Sequence, residues 1–471
     1  MDDLVYLSKI RNEVATLTIL TTCTFISFNE RGFRVLTLMK IPPDLEEALS
    51  TLRKAKIDVE NRLRDIARIG EDPKGGITRL AYSSEENKAF EYVKDVGISY
   101  GLVAKEDPLG NLYLELPGQT EESVIIGSHL DTVPRGGMFD GTVGVVCSLE
   151  IAKALSQVEL KKKLVVAAFR AEESARFKIS LIGSSIATGR LDPSMLEVKD
   201  SRGIKLREAI EACGFYPDRL KEAKLCLDKV RAYLEYHIEQ GPVLEAYECP
   251  VGIVTAIAGP SRYELSLKGE WAHSGTTPMD MRKDALVTAA EIILSVRDVC
   301  TRKGSVVGTV GDLRIPGGSI NKVPGEAVLY LEVRSVEDEE RREVLQEIMK
   351  IAEEKARKNG ISLNIRKIEE KSAVKLSSQI VNVLEFACDS VGVGYLLMPS
   401  GASHDAVNFC KAGIPTGMLF CQSKGGISHS PEEFSQLDHI MAGAEVLLVG
   451  TYRLCSDNIF SGNWDWMSPS Y

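Results

Sequence analysis

The spacing of hydrophobic and polar residues changes several times along the chain, and each change predicts a different element. From Asp44 the stretch DLEEALSTLRKAKIDVENRLRDIARIG carries apolar residues at helical spacing and predicts one helix ending at Gly70. SSEENKAFEYVKDVGISYG predicts a second, with Ser83 or Ser84 as its cap and Glu86 placed for a capping box. NLYLELPG, SVIIGSHLD and KKKLVVAAFRAEE then read as strands, and VGVVCSLEIAKALSQVEL as a helix between the last two. This alternation predicts an α/β domain with a mostly parallel sheet. In such sheets ligands bind beyond the carboxyl ends of strands. HLD follows SVII directly and AEE follows LVVAAFR directly, so both acidic clusters fall where a site is expected.

From about residue 257 the pattern changes. YELSLKGE reads as a strand, and PMDMRKDALVTAAEIILSVRDVCTRKG as a helix with Pro278 near its start and Gly304 after its end. SVVGTVGDLRI and AVLYLEVRSV follow as strands, EDEERREVLQEIMKIAEEKARKNG as a charged amphipathic helix, and ISLNIRKIEE as a last strand. Strand, helix, strand, strand, helix, strand is the split βαβ, ferredoxin-like order. The expected organisation is an extension over residues 1–40, a first catalytic segment over 41–256, an inserted domain over 257–370, a second catalytic segment over 371–455 and a tail over 456–471.

Composition narrows the class. A chain of 471 residues exceeds one ordinary core, so two domains are expected. Its net charge of -10 gives no electrostatic reason to bind nucleic acid or an anionic membrane. The ten cysteines form no CxxC pair, which predicts free thiols in a reducing compartment rather than a disulfide frame. The apolar run TLTILTTCTFISF, residues 16–28, contains five Thr and is shorter than the ~20 residues of a spanning helix. Asp2, Asp3 and Glu13 spoil the basic start of a signal peptide, so a cytoplasmic protein is expected.

Only six His are present. His129, Asp131 and Asp140 stand in GSHLDTVPRGGMFDGTVGV, Glu172 and Glu173 in FRAEESARF, His237 and Glu239 in YHIEQGPVLEA, His404 and Asp405 in SGASHDAVNF, His429 in GISHSPEEF, and His273 in GEWAHSGTTPMDMR. His439, in a helical run, has no assigned role. Singly, a His after a strand is more often a hydrogen-bonded structural residue than a ligand. Recurrence changes the weighting, because several His follow apolar runs and sit among Gly, Ser and Pro. A His and carboxylate set without Cys suits zinc, or manganese or cobalt in its place. Asp131, two residues after His129, lies on the same side of an extended chain and can fix the His tautomer. Asp140, eleven residues after His129, can return across a Gly-rich loop to bridge two metals. Of the Glu pair, one can bind metal while the other acts as a general base.

The ordered motifs HLDTVPRGGMFDG, AFRAEESARF, HIEQGPVLE, AHSGTTPMDMRKDA, GGSINKVPG, LEVRS, SGASHDA and SHSPEE closely resemble the dinuclear zinc amidohydrolases. These include N-carbamoyl-L-amino-acid hydrolase, allantoate amidohydrolase and yeast-type β-ureidopropionase, within a wider metallopeptidase family. The resemblance runs from about Leu45 to Arg453. It implies a zinc-hydrolase α/β fold with an inserted ferredoxin-like dimerisation and lid domain, and two divalent metals per chain. It implies that His129, Asp140 and His237 hold one metal and that Asp140, Glu173 and His429 hold the other. It makes Glu172 the general base and Asp131 the orienter of His129. His273, Asn321 and Arg334 would serve the substrate, His273 in the partner subunit's site, and Gln240 and His404 would line the pocket. His237 stands where peptidase relatives carry a carboxylate, which favours carbamoyl and ureido substrates. An Arg fork at Arg334 suits a substrate carboxylate. Ser403 in SGASHDA, EESARF in place of EEGSRF, and Phe139 where Tyr is common depart from relatives without removing a ligand. The alternatives left open are allantoate or β-ureidopropionate as substrate, a peptidase or acyl-amino-acid hydrolase, and a non-catalytic binding protein.

Overall fold

The computed structural model describes residues 24–29, 32–37 and 41–456. The chain forms two compact units, residues 1–43 and 44–471. In the first, β1 (Thr24–Asn29) and β2 (Gly32–Thr37) pair as an antiparallel hairpin with Thr24 opposite Thr37. The rest of the expected extension, and the tail from residue 457, lie outside the described residues.

The larger unit opens with two helices where one was expected, Pro43–Lys54 and Lys56–Arg68. They meet at Ala55, whose φ of -77° and ψ of 4° leave the helical region. The break re-aims the apolar stripe, so that Leu45, Leu49 and Leu52 and then Val59, Leu63 and Ile66 are all buried. The next helix, Ser84–Ser99, is capped by Ser83, whose Oγ accepts the Glu86 amide at 3.2 Å. The expected return bond from Glu86 is diverted. Its buried carboxylate accepts the Tyr82 amide, the Ala171 amide and Arg170 Nη1 instead, tying this helix to the loop that carries Glu172.

The strands β3 (Val103–Glu106), β4 (Leu112–Leu116), β5 (Ser123–His129), β6 (Lys163–Phe169), β7 (Val230–Ile238) and β8 (Val251–Ile257) lead into the main sheet. Then follow β9 (Gly259–Lys268), β10 (Ala272–His273), β11 (Val307–Arg314), β12 (Lys322–Val323), β13 (Glu326–Ser335) and β14 (Ser362–Glu370). The chain returns through β15 (Val374–Lys375), β16 (Tyr395–Ser400) and β17 (Thr416–Cys421). The main sheet has the order β15-β8-β17-β7-β5-β6-β4-β3, with β16 also pairing with β8. Its centre, β17-β7-β5-β6, is parallel. Every residue of β5 and β17 is buried. Such strands read as continuous apolar runs because both sheet faces are covered. The helices Thr142–Leu155 and Leu437–Ser456 pack against β5 and β7, and Phe169, Tyr233 and Phe409 belong to a separate buried cluster.

Residues 259–370 form a second sheet, antiparallel, in the order β11-β13-β9-β14. Burial alternates along β13, as a sheet covered on one face requires. The cover is the helix pair Ala285–Lys303 and Asp338–Lys358, whose Ile292, Val296, Val344 and Ile348 join Leu265, Leu329 and Leu331 in one core. The helix expected from Pro278 begins only at Ala285. Met279–Met281 make one 3-10 turn, and Asp284 starts the helix by accepting the Leu286 and Val287 amides. Among the described residues the nine cysteines are free thiols, and no helix is long and apolar enough to cross a membrane.

Candidate active site

The candidate ligands converge at the carboxyl ends of the parallel strands. His129 ends β5 and His237 is the penultimate residue of β7. Glu172 and Glu173 follow β6, and His429 follows β17 by eight residues. His237 Nε2 lies 3.1 Å and His129 Nε2 3.7 Å from Asp140 Oδ1, and the two imidazole Nε2 atoms are 3.4 Å apart. On the other side, His429 Nε2 lies 3.2 Å from both Asp140 Oδ2 and Glu173 Oε1. Two triads, His129/Asp140/His237 and Asp140/Glu173/His429, therefore share the two oxygens of Asp140.

The rings are held ready to ligate. His129 Nδ1 faces the Asp131 carbonyl at 3.1 Å, and His237 Nδ1 faces the Ile238 carbonyl at 2.9 Å. A carbonyl can only accept, so Nδ1 of each ring carries a proton and Nε2 is the atom that faces the carboxylates. The Asp131 carboxylate is farther from the ring, at 3.6 Å. It accepts the Glu172 and Glu173 amides at 2.9 and 3.0 Å and so fixes the loop that presents both glutamates.

Electrostatics supply the test of fit for metal. Asp131, Asp140, Glu172 and Glu173 are all buried, and among the described residues none pairs with Lys or Arg. Burial pushes the Glu172 carboxyl well up, with Glu173, Asp405 and Asp131 adding to it and His129 opposing. Burial acts to lower His129, but Asp131, Glu172 and Asp140 outweigh it and draw a proton onto the ring. Burial likewise opposes the fall of Asp140, which His237 and His429 hold well below the usual range. A buried carboxylate cluster that pulls protons onto its histidines has the field and donor set that divalent cations satisfy.

Backbone shape serves the same end. Gly141 has φ of 64°, and a Cβ there would sit 2.4 Å from His129 Nε2, while its amide lies 3.2 Å from His237 Nε2. Glu433, to which the sequence assigned no role, joins the two loops of the site. Its Oε1 accepts the Phe139 and Asp140 amides at 3.0 and 3.1 Å, and its Oε2 accepts Ser428 Oγ at 2.9 Å. It thereby locks the Asp140 loop to the His429 loop. Burial and the Asp140 charge push it up to about 7. A Cβ at Gly137 would lie 2.1 Å from Glu433 Oε1, so this glycine makes room for the bond. The available signals were Gly137 and the acidic doublet of SHSPEE.

The ligands line a cavity of about 190 Å³ together with Glu172, Gln240, Arg334 and His404. Gln240 Nε2 donates to Asp140 Oδ2 at 3.1 Å and to Ser428 Oγ at 3.0 Å. His404 packs against the His237 ring at 4.6 Å, its Nε2 lies 2.9 Å from Ser400 Oγ, and burial with His237 drives it well below its ordinary value, so it is neutral. Arg334 donates Nε and Nη2 to the two carboxylate oxygens of Glu332 and Nη1 to the Gly401 carbonyl, linking β13 to the loop that carries Ser403. Phe139 is buried edge-on to Phe434, away from the cavity lining. Glu239 accepts the Val243 and Leu244 amides and caps a turn. His273 and Asn321 do not line this cavity. His273 Nδ1 accepts the Gly275 and Thr276 amides in an exposed turn, and Asn321 Oδ1 accepts Ser319 Oγ.

A His/carboxylate pair of triads, buried except for His429, at the carboxyl edge of a parallel sheet with a glutamate beside them, defines a metallohydrolase. Residues 125–449 match the model of peptidase family M20/M25/M40, and the chain belongs to that family. It is a metal-dependent hydrolase of amide bonds. It is 38% identical over 397 residues to an N-carbamoyl-L-amino acid amidohydrolase of Geobacillus stearothermophilus, covering 83% of this chain and 97% of that one. It is 33% identical over 407 residues to a ureidoglycolate hydrolase of Oryza sativa subsp. japonica, covering 84% of each. The crystal structure of a hydantoinase/carbamoylase family amidase from Burkholderia multivorans superposes with a TM-score of 0.80 at 28% identity, covering 85% of this chain and 98% of that one.

Proposed function

We propose that the chain is an N-carbamoyl-L-amino-acid amidohydrolase that uses two divalent cations, zinc or else manganese or cobalt. The observation that carries this reading is the meeting of both triads, Glu172 and Arg334 in one small polar cavity. The names of the relatives favour a ureido or carbamoyl substrate over a peptide. When bound, the cations supply Lewis acidity and lower the pKa of water at the site.

The chain's own groups do the rest. Glu172, with its amide anchored on Asp131, takes a proton from the attacking water and delivers it to the leaving nitrogen. Water adds to the carbamoyl carbon, the bond from that carbon to the amino-acid nitrogen breaks, and the carbamic acid released decomposes to carbon dioxide and ammonia. Arg334, steadied by Glu332, turns the remaining Nη protons of its guanidinium to the substrate carboxylate. Neutral His404 and Gln240 orient the ureido group. The inserted domain mediates a homodimer and supplies Asn321 to the substrate, while His273 acts in the partner's site, where it stabilises the developing oxyanion. Exposed Trp271, Met279, Met281, Val307 and Ile320 on that domain support a buried contact. Free thiols fit a cytoplasmic location.

The test is product release from N-carbamoyl-L-amino acids, allantoate, β-ureidopropionate and dipeptides by protein loaded with zinc, manganese or cobalt. Preference for the carbamoyl compounds is expected. Faster turnover of allantoate or of dipeptides would move the assignment to that branch. Absence of bound metal and of any turnover would leave a binding protein.

A further inference from the structure

The lining of the cavity is unusual for a site that takes an amino-acid derivative with an apolar side chain. Besides the metal-ligand cluster and His404, it is made of Ser174, Ser180, Gln240, Arg262, Arg334 and Ser403, with Ala402 as its single aliphatic residue. Pockets for organic ligands are lined mostly by apolar groups and are larger, roughly 300–1,000 Å³, against about 190 Å³ here. A leucine-like or methionine-like side chain would find almost no apolar wall to leave water for. A short, polar side chain fits both the volume and the chemistry.

The cations on this wall sharpen the point. Arg262 and Arg334 both reach the cavity, from adjacent strands β9 and β13, and share Glu332 between them. Arg262 Nε donates to Glu332 Oε2 at 2.5 Å and its Nη1 to Glu369 Oε2 at 2.6 Å, while its Nη2 has no partner among the described residues. Lys371 Nζ lies 3.4 Å from Ser180 Oγ, also on the lining, and 2.9 Å from Glu369 Oε1. Three cations thus face two carboxylates. One substrate carboxylate at Arg334 leaves the second guanidinium and its free donor unused.

We propose that Arg262 is a specificity-determining residue that binds a second substrate carboxylate, so that the favoured substrates are N-carbamoyl derivatives of acidic amino acids such as aspartate. This rests on the amidohydrolase reading above and names its substrate class. Arg262 Nη2 and the Ser174 and Ser180 hydroxyls supply donors to the side-chain carboxylate, Arg334 holds the α-carboxylate, and Glu332 keeps the two guanidiniums apart and oriented.

The experiment compares kcat/KM of metal-loaded protein for N-carbamoyl-L-aspartate, N-carbamoyl-L-alanine and N-carbamoyl-L-methionine, in wild type, R262Q and R262K. Aspartate is expected to exceed alanine by about tenfold or more, with methionine last. In R262Q the aspartate-to-alanine ratio is expected to fall about 10–100-fold, the effect of losing one charge-assisted bond, and R262K restores part of it. A wild type that prefers methionine, or an R262Q that lowers both substrates alike, overturns this proposal and leaves the amidohydrolase reading standing. No turnover of any of the three sinks that reading instead. The second-carboxylate site is then judged by calorimetry, where succinate must bind the metal-loaded protein more tightly than butyrate and lose that advantage in R262Q. Should R262Q fail to fold, the wild-type substrate ratio and the succinate comparison decide the matter.

Discussion

Replacing Gly141 by alanine separates the metal-site argument from ordinary stability. Two effects are built into the position. Its φ of 64° and ψ of -46° are strained for any residue with a Cβ, at a cost of order 1–3 kcal/mol. That alone lowers the melting temperature by a few degrees. The second effect is steric. The new Cβ would stand 2.4 Å from His129 Nε2, where ordinary contact begins at 3.4 Å, so the imidazole must retreat by about 1 Å. Ligand bonds tolerate only about 0.2 Å, so His129 can no longer complete its triad. Losing the support of a ligand typically costs about 10–100-fold in metal affinity, and displacing the ligand itself should reach the upper end or exceed it. The assay is a competition titration with a fluorescent chelator, followed by metal content and turnover. Gly101 provides the control, because it also has positive φ, 82°, but a Cβ there meets nothing within 4 Å. G101A should lose stability and keep its metal. Wild-type metal affinity in G141A, or an equal loss in G101A, would refute the reasoning.

Four further outcomes are expected. E172Q should keep its metal content and lose about 10²–10⁴ in kcat, since only proton transfer is removed; near-normal turnover contradicts the base assignment. E433A should weaken metal binding about 10–100-fold in the same competition assay, because the Phe139 and Asp140 amides and Ser428 Oγ lose their shared acceptor. Mixing E172Q with H273A should restore activity that neither has alone, as one site of each mixed dimer then carries both intact groups; no recovery after subunit exchange argues against sharing across a dimer. Asp107, pushed up to about 6 by burial against the pull of Asn111 and the Leu109 amide, holds its proton in the folded chain between about pH 4 and 6, where the unfolded chain has released it. Its contribution to stability is therefore fully present below pH 4 and is lost as pH rises to 6, by up to about 3 kcal/mol, so D107N should flatten that part of the melting curve of metal-free protein.

What could be read from the chain followed from local chemistry. Of the candidate ligands, His129, Glu173 and His237 stand where an apolar run stops and a polar turn begins, which marks the carboxyl end of a strand before any pairing is known. The ligands do meet in the structure, across 300 positions from His129 to His429. What escaped was whatever depends on a partner far away. The late start at Ala285 comes from the Asp284 carboxylate taking the Leu286 and Val287 amides, and the break at Ala55 from one residue with ψ of 4°, neither of which periodicity records. Glu433 was invisible because its task, accepting amides 293 and 294 residues earlier, leaves no mark beyond the small residues that yield space to it. Arg262 was hidden for the opposite reason: its strand reads as ordinary alternation, and only the register of β9 against β13, with Arg262 opposite Glu332, brings it to the cavity beside Arg334.

The division of labour at Asp131 shows why spacing alone could not assign roles. Two residues after His129, its side chain and its own carbonyl both lie within reach of the same ring. The carbonyl takes the closer position, and a carbonyl fixes the tautomer as firmly as a carboxylate, since neither can donate. That frees the carboxylate to accept the two amides of the Glu172–Glu173 loop. One residue thus sets the protonation of a ligand with its backbone and the position of both glutamates with its side chain. Asp131→Asn should accordingly leave the His129 tautomer in place while losing one of the two loop bonds. The expected signature is a larger fall in kcat than in metal affinity; a loss confined to metal binding would return the orienting role to the carboxylate.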